Sequence, residues 1–194
     1  MRFGMKNTED SNFKSHEVFN KQRQPLWKKG GSVQEKLLVQ AQKGNLMAMF
    51  HLACILDDEK EGDVSKAAEW YTKAAEGGLP FAQCNLGDCY ENGRGVPQDY
   101  ERAIYWYTKS YQQEDGDAAF SLGYLCERGL GCPQDPEKAA AYYREAYEWG
   151  DDGESAYRLG LLYRSGKGVP QDEEEAKRWF DRADELGFVP GERL

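Results

Sequence analysis

The side chains best suited to chemistry in this 194-residue chain are two histidines, five cysteines and 34 carboxylates. His51 and Cys54 stand three residues apart, a spacing that sets both on one helical face, where they could share a metal ion. Two ligands make no zinc site. Cys54, Cys84, Cys89, Cys126 and Cys132 form no CxxC pair and no regular spacing. They read as small apolar filler in a reducing compartment. No Ser/His/Asp order, phosphate-binding loop or dinucleotide fingerprint is present. The carboxylates fall at helix caps and solvated faces, where a raised pKa is not expected. These residues predict a protein that is not an enzyme, with no catalytic residue, no metal and no cofactor.

What the chain does carry is a repeat of about 36 residues. Leu86-Gly87 recurs as Leu122-Gly123 and Leu159-Gly160. The loop Gly93-Arg94-Gly95-Val96-Pro97-Gln98-Asp99 recurs at 129–135 and 166–172. Trp70-Tyr71 recurs as Trp106-Tyr107, Tyr142-Tyr143 and Trp179-Phe180, each pair seven residues after an Asp (Asp63, Asp99, Asp135, Asp172). Each unit reads as two helices. The first carries Leu-Gly, whose bare glycine lets the second helix approach, and ends at the glycine-rich loop. The prolines Pro97, Pro133 and Pro170 stop it, and the Asp that follows caps the second helix. Gly78, Gly150 and Gly187 stand where the second helix closes, with Glu114 at that place in the second unit. The first unit departs from the pattern, with Leu52-Ala53 in place of Leu-Gly and a shorter loop at 57–62. Before it, the capping box Ser32-Val33-Gln34-Glu35 opens a lone helix that ends at Gly44, the second half of an incomplete leading repeat.

The series Ala82, Leu86-Gly87, Tyr90, Gly93-x-Gly95-Val96, Asp99, Ala103, Trp106-Tyr107 resembles the Sel1-like repeat, a relative of the tetratricopeptide repeat. The resemblance implies an all-α fold, a right-handed α/α superhelix of helical hairpins. The expected organisation is a basic, flexible N-terminal segment at 1–31, a repeat array at 32–188 and a C-terminal tail at 189–194. Within the array, a half repeat at 32–44 precedes units at about 45–79, 80–116, 117–150 and 151–188. The family's members mostly act as adaptors and scaffolds in signalling, secretion and protein quality control. Its cysteine-rich bacterial branch, linked to β-lactam binding, carries paired cysteines in each repeat, which this chain lacks.

Charge is uneven. The chain is −9 overall, yet residues 1–33 hold seven Lys/Arg against three Asp/Glu, a local +4, which leaves the remainder at −13. An acidic body repels nucleic acid and attracts basic partners. Lys14, Lys21, Arg23, Lys28 and Lys29 interleave with Phe13, Phe19 and Trp27, and such a segment could dock on the protein's own acidic surface. No apolar run is long enough to span a bilayer, and the first ten residues hold no secretory signal, so a cytoplasmic monomer is expected.

Binding is expected on the first helices. In related helical repeats the concave face is lined two residues before the Leu of Leu-Gly, two after it and five after it. Those positions are here Phe50, Cys84, Phe120 and Tyr157; Cys54, Asp88, Tyr124 and Leu161; and Asp57, Glu91, Glu127 and Arg164. They describe an aromatic stripe with an acidic margin, which suits a protein or peptide partner of basic character. With no Lys/Asn set in these positions, capture of a C-terminal carboxylate is not expected. The reading is a non-catalytic adaptor; the alternative is a small acidic inhibitor or immunity protein that neutralises a basic toxin or enzyme.

Overall fold

The computed structural model describes residues 32–58, 62–150 and 152–190. The basic segment at 1–31, and with it the proposed self-docking, lies outside the described residues, as do 191–194 of the tail. Among the described residues the chain forms α-helices only: α1 (Ser32–Gln42), α2 (Leu46–Leu56), α3 (Val64–Glu76), α4 (Pro80–Asn92), α5 (Tyr100–Tyr111), α6 (Gly116–Arg128), α7 (Pro136–Gly150), α8 (Gly153–Ser165) and α9 (Glu173–Glu185). Helices adjacent in sequence pack most closely, and packing within a hairpin (α2/α3, α4/α5, α6/α7, α8/α9) is more extensive than between hairpins. The result is an all-α repeat solenoid, with α1 packed on the first hairpin.

The ends of the helices follow from local chemistry. Asp63, Asp99 and Asp135 each accept the backbone N–H three residues on, at 3.0–3.1 Å, and Asp172 accepts those of Glu174 and Glu175. Asn45, Asp115 and Asp152 cap first helices in the same way. Gly93, Gly129 and Gly166 close α4, α6 and α8 in the left-handed region, with φ of 68°, 70° and 67°. The loop glutamines then turn back: the Nε2 groups of Gln98, Gln134 and Gln171 donate to the carbonyls of Glu91, Glu127 and Arg164 at 2.8–3.1 Å. These side chains satisfy helix-end carbonyls that would otherwise face solvent or lack partners.

The second glycine of each loop has a different duty. A Cβ on Gly95 would lie 2.1 Å from the Val64 carbonyl oxygen, on Gly131 2.6 Å from Tyr100 Cβ, and on Gly168 2.2 Å from the Pro136 backbone. Each loop therefore rests on the first turn of the preceding hairpin's second helix. Inside the last three hairpins, the Leu-Gly glycine leaves room for a ring: a Cβ on Gly87, Gly123 or Gly160 would meet Tyr107, Tyr143 or Phe180 at 2.4–2.8 Å. Tyr71, Tyr107 and Tyr143 are fully buried against Leu and Ala side chains, so the second aromatic of the pair is the keel of the first three hairpins, whereas in the fourth Trp179 is the buried ring.

Candidate partner-binding face

A phenol buried that deeply must find an acceptor for its proton. The acceptors come from the first helix of the same hairpin. Tyr107 Oη donates toward Asp88 Oδ1 (2.6 Å) and Glu91 Oε2 (2.7 Å), and Tyr143 Oη to Glu127 Oε2 (2.6 Å). Tyr71 Oη reaches Asp57 Oδ2 at 3.4 Å and Cys54 Sγ at 3.5 Å. In the last hairpin the ring is Phe180, with no proton to place, and the facing residue is Arg164, its guanidinium 5.4 Å from the ring centroid. The expected acidic margin is thus a set of phenol acceptors first. Burial and the facing carboxylates push all three tyrosines above the ordinary phenol range.

The expected residues divide by exposure. Phe50 is 1% exposed, its ring against Tyr71 and Phe81, and Cys84 is 8% exposed. Both belong to the core and leave the candidate set, because the following hairpin and its own second helix cover them. Phe120 is half-buried on Tyr143, and Tyr157 is half-buried between Phe180 and Phe188. Tyr124 and Leu161 are half-buried, and Arg164 is exposed. Cys54 and Asp57 are turned toward Tyr71, and the Asp57 side chain is only 8% exposed.

Two arginines that sequence reasoning passed over organise this face. Arg94, from the loop of the second hairpin, pairs with Asp57 of the first at 2.8 Å. Arg158, one residue before the Leu of the fourth hairpin, pairs with Glu127 at 3.1 Å and Glu154 at 2.8 Å. Its guanidinium also lies 5.1–5.8 Å from the ring centroids of Tyr124, Phe120 and Tyr143. Arg128 covers Tyr124 at 5.2 Å. The stripe of rings is therefore partly roofed by cations of the chain itself.

The junction of the second and third hairpins is different. Asp88 and Glu91 share the Tyr107 proton and form no ion pair among the described residues. Burial, with Glu91 and Asp117 nearby, pushes Asp88 up to about 6 despite the Tyr107 hydrogen bond and Arg94. Burial also raises the capping carboxyls Asp115 and Asp152, against the expectation that caps here keep ordinary values. No group of His, Cys, Asp and Glu able to hold a metal occurs among the described residues. No helix among them is long and apolar enough to cross a membrane.

Helical hairpins in series, the last three sealed by a glycine under an aromatic ring, define an α-solenoid repeat protein. The Sel1 repeat model matches residues 46–79, 80–115, 116–151 and 153–188, and the chain belongs to the Sel1 repeat family. It is similar to a protective antigen of uropathogenic Escherichia coli that displays an SLR fold, at 32% identity and a TM-score of 0.75. That match covers 80% of this chain and 33% of the antigen, so the chain spans about a third of the antigen's length. A Sel1 repeat protein from Oxalobacter formigenes is 29% identical, with a TM-score of 0.75 and coverage of 92% and 71%. Cysteine-rich protein B of Helicobacter pylori is 29% identical, with a TM-score of 0.51 and coverage of 65% and 90%. Among curated proteins, no relative matches. Sel1 repeat proteins are generally protein-interaction scaffolds and generally non-catalytic.

Proposed function

We propose that this protein is a non-catalytic adaptor whose first helices line a concave face that takes a basic segment of another protein. The observation that carries the reading is the junction of the second and third hairpins. There Asp88 and Glu91 share one phenol proton, form no ion pair among the described residues, and sit beside Asp117. The corresponding carboxylates on either side, Asp57 and Glu127, each hold an arginine of the next hairpin. A partner's Lys or Arg at this junction would complete the series, with Tyr124 and Leu161 offering apolar surface further along. The family's general role and the acidic body support the same reading, with no nucleic acid, membrane or cofactor called for. A monomer working in a reducing cytoplasm fits the cysteine usage.

The test is quantitative affinity capture from the source organism with the intact protein, Asp88→Asn/Glu91→Gln and Tyr124→Ala as baits. A captured partner should bind the charge-neutral variant at least about tenfold more weakly and lose most of its salt dependence, with helicity unchanged. Equal capture by all three baits would place binding on another face. A one-to-one complex with a basic enzyme that abolishes its activity would replace the adaptor by the inhibitor reading.

A further inference from the structure

Position by position, the third hairpin differs from its neighbours at two places that meet. In the second and fourth hairpins, the tyrosine at the end of the first helix (Tyr90, Tyr163) and the valine of the loop (Val96, Val169) pack on the same core. In the third hairpin both are cysteine, Cys126 and Cys132. The loop between them is already folded back on α6. Leu130 N–H donates to the Leu125 carbonyl at 3.0 Å, and Asp135 N–H to the Cys126 carbonyl at 2.9 Å. Cys132 Sγ lies 3.9 Å from the carbonyl of Leu125, the residue next to Cys126, and Cys132 is close enough to push the Cys126 thiol up. Both are half-buried, whereas Cys84 and Cys89 are buried and Cys54 faces the Tyr71 hydroxyl.

We propose that Cys126 and Cys132 form a reversible disulfide that locks the loop of the third hairpin. Main-chain hydrogen bonds of Leu130 and Asp135 tie the loop on either side of Cys132 back to α6, so closing the ring orders little that is still free. Hydrogen peroxide is the oxidant named here. The Cys132 thiolate attacks one peroxide oxygen, the O–O bond breaks, and the thiol proton leaves with the other oxygen as water. Cys126 then attacks the resulting sulfenic sulfur; the S–S bond forms, the S–O bond breaks, and a second water departs. Two thiols lose two electrons in all, and one peroxide gains them. Cys132 stands in the loop and takes the first step, whereas burial and its neighbour push the Cys126 thiol on α6 up to about 11, and the Cys126 proton leaves with the second water. Gly131 lies inside the ring and rests on Tyr100 of α5, so the bond stiffens the junction of the second and third hairpins.

The experiment treats the full-length protein with hydrogen peroxide, blocks the remaining thiols in denaturant, and maps peptides without reduction. The expected product is one intrachain link, Cys126 to Cys132, lighter by two hydrogens and reversed by a thiol reductant, with Cys54, Cys84 and Cys89 still alkylated. Cys126→Ser should trap a dimedone-reactive sulfenic acid at Cys132, while Cys132→Ser should give neither link nor adduct. Exchange of the amides at 127–131 should slow about tenfold on oxidation of the wild type. Stable sulfenic or higher oxides without the link, a link to another cysteine or a second chain, or no oxidation at either residue would each overturn the proposal.

Discussion

Tyr107 and the two carboxylates it faces show how a single residue sets both stability and charge at this surface. Asp88 sits at about 6 in the folded protein, above the value of roughly 3.9 for an unfolded Asp. The folded state therefore binds the proton more tightly, and stability falls as pH rises from about 4 to about 6. Asp88→Asn removes that cost. It should stabilise the protein at pH 7 by up to about 2 kcal/mol, and the gain should vanish at pH 4 in chemical-denaturation curves taken at both values. Glu114 offers a second test. It is the one non-glycine residue with positive φ among those described, at 61°, in the place held by Gly44, Gly78 and Gly187 elsewhere. Glu114→Gly should stabilise by about 1 kcal/mol, read as a rise in Tm. The sequence carried the position of the acidic residues but not their employment. Three carboxylates in register (Asp57, Glu91, Glu127), with Asp88 beside them, look like a rim until the buried phenols behind them are counted, and only Phe180 with Arg164 hints at the pairing.

At the scale of elements, the glycine-rich loop does the most to make hairpins stack. The punctuation of the helices was legible, because Gly, Pro and Asp act through their own backbone chemistry. The glutamine of each loop was not, since it works by reaching back seven residues to a carbonyl that only the folded loop presents. Nor was the seat of the second glycine, which depends on a neighbouring hairpin. Gly168→Ala must place a methyl 2.2 Å from the Pro136 backbone at a φ of 72°, and should cost at least about 2 kcal/mol in equilibrium unfolding. Gly150→Ala meets nothing within 4 Å at a helix end and serves as the control, expected neutral or stabilising by up to about 1 kcal/mol. Equal losses from both substitutions would show that the loop contact contributes nothing particular.

For the whole molecule, a stack in which packing runs between adjacent helices has stability that is local in character. Leu159 is fully buried in the last hairpin and Leu86 in an interior one. Leu159→Ala should accelerate amide exchange in α8 and α9 while α4 and α5 keep most of their protection; Leu86→Ala should loosen hairpins on both sides of it. Uniform acceleration by both would mean a single cooperative unit. The repeat architecture was readable because a period of 36 residues leaves few alternatives, whereas the exposure of a given first-helix residue depends on its neighbour's side chains. Phe50 and Phe120 occupy the same repeat position, yet one is core and the other half-open.

The seats of Gly95, Gly131 and Gly168 share a direction: Val64, Tyr100 and Pro136 all lie earlier in the chain than the loops that rest on them. Each of these hairpins thus finds its docking surface among residues synthesised before its own loop. Growth of the structure can keep pace with synthesis, one hairpin at a time, and no finished hairpin has to wait for a later one to complete its loop contact.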